Sequence, residues 1–97
     1  MDATPQQLAT RRRELAMDYN KHMKRLGELK QKKALEIISL RCREDVTSDK
    51  QAERLWDATD DGQEEIKLTY LSKGLLELMR AVKSEIDIMQ AESFNQY

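Results

Sequence analysis

The sequence predicts an all-α protein: a long helical hairpin or coiled coil with a short middle helix, completed by oligomerisation. Three observations predict it. In the stretch 68–89, LTYLSKGLLELMRAVKSEIDIM, the residues Leu68, Leu75, Val82 and Met89 fall seven apart. Leu71 and Leu78 fall seven apart between them, and Met79 and Ile86 widen the same side, so one apolar face runs more than a third of the way round a helix. Next, helix-capping patterns recur at Thr4, Ser48 and Asp61. Finally, 36% of residues are charged and 5% aromatic, with three glycines and one proline, a balance short of the turn and β-branched residues that a β-fold needs.

A chain of 97 residues makes a single helical domain, 1–97. Its first helix is expected over 5–43. Thr4 precedes Pro5, and Gln7 sits where its side chain can bond back to the cap. Leu8, Leu15, Tyr19, Met23, Leu26, Ala34, Ile37 and Leu40 or Arg41 follow a mixed 3–4 spacing, with Leu29 and Ile38 beside them. This stripe is thinner than the one at 68–89 and thins most at 30–33. Gly27 is a weak point or a place of close approach, costing up to about 1 kcal/mol in a helix interior. A helix of this span is roughly 58 Å long at about 1.5 Å per residue, too long for a compact three-helix globule.

Residues 44–48 break the pattern. Ser48 with Gln51 forms a second capping box, which starts a short helix expected over 49–59 with Ala52, Leu55 and Trp56. Asp61 followed by Glu64 starts a long third helix, expected over 62–91. The alternative is one continuous helix from Asp49 with Gly62 inside it. The polar tail 92–97 surrounds Phe94 and Tyr97 and is expected to fray unless those rings dock. With the third helix antiparallel to the first, Trp56 lies at one end. Part of the face made by Leu68, Leu71, Leu75, Leu78, Met79, Val82, Ile86 and Met89 stays open, and a homo-oligomer is expected, a four-helix dimer being the simplest closed solution.

The net charge of −1 hides an asymmetry. Residues 11–33 hold nine basic side chains against three acidic ones, and residues 44–65 hold nine acidic against two basic. Arg11, Arg12, Arg13, Lys21, Lys24, Arg25, Lys32 and Lys33 form a basic rod that could contact nucleic-acid phosphates. Only Tyr19 is interleaved for base stacking, and no helix-turn-helix or zinc-finger signature is present. The plainer reading is a solvated face, or one paired with the acidic segment of the same or a second chain. Leu55 and Trp56, set among acids, are candidate anchors for a protein partner. The plainer reading has Trp56 plugging the end of the hairpin.

Nothing points to catalysis. His22 is the only histidine and Cys42 the only cysteine, too few for a zinc site. Cys42 falls near the end of the first helix, where the dipole does not activate a nucleophile. There is no phosphate-binding glycine loop and no G-x-S-x-G. Asp57, Asp60, Asp61 and Gly62 lack the alternate ligands of a calcium loop. The expectation is therefore a protein with no enzymatic activity, no cofactor, no metal and no small-molecule substrate. No apolar run approaches the ~20 residues of a membrane span, and a single unpaired thiol suits a reducing compartment, so a soluble cytoplasmic protein is expected.

The order ERLWDAT, DDGQEEI, YLSKGLLELMRAVKSEIDI, ESFNQY over 50–97 resembles small helical accessory proteins of tailed phages and prophages, encoded among early replication and recombination genes. The resemblance implies a protein of the infected host's cytoplasm, acting in phage DNA metabolism or against a host protein or defence. It carries over no catalytic residue. The reading is a non-enzymatic accessory protein that binds a larger protein of the replication, recombination or defence machinery. The alternative is a nucleic-acid-binding accessory protein using the basic side of the first helix.

Overall fold

The structure, a computed structural model, describes residues 4–95, with side chains described up to Ser93. It contains α1 (Pro5–Arg41), α2 (Asp49–Asp57) and α3 (Asp60–Asn95), with no strand among the described residues. The fold is the expected helical hairpin with a short middle helix.

Local chemistry sets each start. The Thr4 N–H donates to Gln7 Oε1 at 2.9 Å, and the Gln7 N–H donates to Thr4 Oγ1 at 3.2 Å, closing the capping box. α1 then runs unbroken through Gly27 and ends at Arg41, two residues before the expected end, with Cys42 as its C-cap. Ser48 Oγ accepts the Gln51 N–H at 3.1 Å. Here the Gln51 amide reaches past the cap: its oxygen accepts from Thr47 N–H and its nitrogen donates to the Asp45 carbonyl, each at 3.0 Å. That clasp holds the connection in which Val46 is buried against Leu40, Ala52 and Ile37.

α3 begins at Asp60, and its cap is Thr59 instead of Asp61. The Thr59 hydroxyl donates to the Trp56 carbonyl at 2.6 Å and accepts the Gly62 N–H at 3.0 Å. A single hydroxyl thus closes α2 and opens α3, and the two are separate helices. Asp60 and Asp61 occupy the first turn, where the macrodipole favours acids. A Cβ on Gly62 would lie 2.7 Å from the Trp56 carbonyl carbon and 2.8 Å from Asp57 Cα. Only glycine lets the two helices approach this closely. At its other end α3 continues to Asn95, beyond the expected 91, so 92–95 is helix. The expectation for the rings of Phe94 and Tyr97 lies outside the described side chains.

α1 packs along α3, and α2 packs on the last turns of α1 near the joint. The result is a rod of 73 × 20 × 18 Å. Its radius of gyration is 20.5 Å, against about 13 Å for a compact domain of this length.

The seam on α3 is Leu68, Ser72, Leu75, Met79, Val82, Ile86 and Met89, all buried or half-buried and alternating in steps of four and three. Six of the eight expected face residues lie on it. Leu71 and Leu78 do not; they are 44% and 45% exposed, and Ser72 takes an inward place. The reason is the column each choice drags along. Stepping three from Leu68 continues to Leu78 and Glu85 and would bury a carboxylate. Stepping four continues to Met79 and Ile86. On α1 the inward residues are Leu8, Leu15, Tyr19, His22, Leu26, Leu29, Lys33, Ile37 and Leu40. His22 displaces Met23, which is exposed along with Ala34 and Ile38. Leu29, fully buried with Leu26 and Leu68, is the centre of the seam.

Candidate interaction surfaces

The basic side of α1 divides in two. Arg25 makes a bidentate pair with Glu64: Nε to Oε2 and a terminal nitrogen to Oε1, both at 2.8 Å. Its other terminal nitrogen reaches Glu28 at 3.4 Å. Lys32 Nζ lies 3.5 Å from Asp61, and Lys33 Nζ lies 3.7 Å from Glu65. These three cations are therefore engaged by the acidic first turns of α3 in the same chain. The hydrogen bonds from Arg25 hold the Glu64 carboxyl below the usual glutamate range, and the same pair raises the Arg25 guanidinium further above its already high value. Arg11, Arg12, Arg13, Lys21 and Lys24 are exposed and make no ion pair among the described residues.

The acidic segment is partly spent at home too. Asp49 meets Arg41 at 3.1 Å. Asp45 accepts two bonds from Arg43, which hold its carboxyl below the ordinary aspartate value.

At the joint, Trp56 is 3% exposed. Its indole Nε1 donates to Glu65 Oε1 at 3.2 Å, the carboxylate that also meets Lys33. Such a tryptophan has no free face to offer a partner, and it fills the plug position at the hairpin end. Leu55 beside it is exposed. Glu65 was not legible as a joint residue in the sequence. Its one signal is its step of three before Leu68, which puts it on the seam.

The outer side of α3 carries exposed apolar side chains beside the seam. Leu71, Leu78 and Ile88 stand clear of α1. Tyr70 and, on α1, Met17, Leu35 and Ile38 are exposed as well. His22 is half-buried. The exposed Cys42 caps α1 at the turn. Among the described residues no three His, Cys, Asp or Glu side chains gather as a metal-ligand group. None of the described helices is long and apolar enough to cross a membrane. Comparison with protein-family models, curated proteins and solved structures returned no match.

Proposed function

We propose that the protein works by association: a homo-oligomer whose helical surfaces bind a larger protein, with no chemistry of its own. The observation that carries this reading is surface. The chain exposes 7747 Å², whereas a compact monomer of its mass exposes about 5,800 Å². The excess of about 2,000 Å² exceeds one side of a standard interface, and it includes the apolar outer side of α3. In the setting that the resemblance implies, the partner belongs to the replication, recombination or defence machinery of a phage-infected cell, in the host cytoplasm. Capture from cell extract with and without nuclease tests it. A partner retained after nuclease supports the reading, and a partner lost with the nucleic acid removes it.

The alternative is a nucleic-acid-binding accessory protein. A specific observation favours keeping it: Arg11, Arg12, Arg13, Lys21 and Lys24 have no ion-pair partner among the described residues, while Arg25, Lys32 and Lys33 do. Binding through those five would weaken with salt at a slope of no more than about −0.9 per residue on double-stranded DNA. A mobility shift at two salt concentrations decides it, since no salt-sensitive shift means no such role.

A further inference from the structure

α3 carries a second row beside its seam. At its centre are Leu71, Gly74, Leu78 and Ala81, spaced three, four and three, and all are exposed. The same alternation places Lys67 before them and Glu85 after them, again exposed and without an ion pair among the described residues. This is the spacing of a helix-packing stripe, yet none of the described residues covers it. Gly74 sharpens the point. A Cβ there would meet nothing within 4 Å, so no contact among the described residues requires a glycine in the middle of this helix, where alanine is the better helix former.

We propose that this row is the docking surface for a second copy of the chain, with the two α3 helices antiparallel about a twofold axis level with Leu76. The inference rests on the reading that the protein works by association, and it names the face and the occupant. The row is complementary to itself when reversed. In that register Leu78 meets Gly74 of the second copy, Leu71 meets its Ala81, and Lys67 meets its Glu85. Large side chains face small ones and cations face anions, each pairing occurring twice by symmetry. A parallel pairing would instead set Lys67 on Lys67, Glu85 on Glu85 and Leu78 on Leu78. Gly74 then has its reason, since it receives Leu78 and lets the backbones approach. The central residues are apolar and the ends charged, the arrangement of an interface core and rim. The excess surface of about 2,000 Å² per chain leaves room for the roughly 800 Å² per partner of a standard interface.

Sedimentation equilibrium on the full-length chain tests this, with circular dichroism confirming unchanged helicity of each variant. Wild type is expected to dimerise. Lys67→Glu alone and Glu85→Lys alone are each expected to weaken the dimer about tenfold or more. Two combinations are expected to restore it to within about threefold: both changes in one chain, and an equal mixture of the two single variants. Weakening by each single change with recovery when one chain carries both is the antiparallel signature, because a parallel pairing would oppose like charges in wild type, in both single variants and in the double variant alike. A dimeric wild type whose single variants are unaffected, or are not rescued, overturns this face and register while leaving the association reading in place. A wild type that stays monomeric overturns the second copy as occupant. Nuclease-resistant capture of a larger protein then separately decides the association reading.

Discussion

The two ends of the rod are built differently. Of the described buried apolar side chains, Leu26, Leu29, Leu40, Val46, Ala52, Trp56 and Leu68 lie in the half nearer the turn, and Leu8 and Val82 lie in the other half. Every described ion pair between α1 and α3 is also in the turn half, from Arg25, Lys32 and Lys33 to Asp61, Glu64 and Glu65. Toward the free ends, Ile86 and Met89 are only half-buried, and Ile86 borders a shallow groove with Ala9, Ala16 and the stems of Arg12 and Arg13. Three helices can bury a tryptophan, whereas two helices leave each other half uncovered. The turn end is held by its own chain, and the open end relies on two thin stripes.

The largest test of that contrast is Trp56→Ala. Removing a buried tryptophan costs about 3–5 kcal/mol, and denaturant unfolding should show it. Val82→Ala at the open end should cost about 2 kcal/mol or less by the same measurement. Equal losses would erase the contrast. Gly62→Ala comes next. Its methyl would strike the Trp56 and Asp57 backbone, which has no flexible end to move aside, and about 1–3 kcal/mol should be lost. A smaller change has the opposite sign. Ser72 is buried at 5% exposure and its Oγ has no hydrogen-bond partner among the described residues. Ser72→Ala should therefore raise the unfolding free energy by about 1 kcal/mol, and a loss on thermal melting would show that the hydroxyl is satisfied after all.

The smallest effect is the acid dependence of the Arg25–Glu64 pair. The folded chain holds Glu64 below the usual range, so as pH falls the unfolded chain takes up the proton first. The pair's stabilisation is full above the ordinary glutamate value of about 4.3. It declines below that value and is gone once pH has passed the lowered one. Stability measured from neutral pH to pH 3 should fall less steeply in Glu64→Gln than in wild type. An unchanged slope would place the acid sensitivity elsewhere.

What was legible in the sequence follows the range of each interaction. The caps at Thr4 and Ser48 are contacts over three residues and can be read directly. Thr59 was missed because its hydroxyl serves two helices at once, and Asp61 with Glu64 imitates a capping box two residues later. The all-α hairpin follows from periodicity. Periodicity does not choose between Leu71 and Ser72 as neighbours of Leu68, because both columns begin with acceptable residues. Only the later members, Glu85 against Met79 and Ile86, break the tie. His22 and Met23 pose the same problem on α1. The basic rod could be read from composition, but not its division, because the pairing of Arg25 with Glu64 spans 39 residues of sequence. Nothing local says which cations the fold will engage.

The shape of the rod, nearly four times longer than it is wide, governs how the protein moves through water. Friction rises with length, so a single chain diffuses and passes through a sizing column like a compact globule of greater mass. An antiparallel pair joined along α3 would double the mass while adding little to the long axis, and its elution would shift less than doubling suggests. Elution volume thus miscounts chains in both directions. Mass-sensitive methods, sedimentation equilibrium or light scattering, count them.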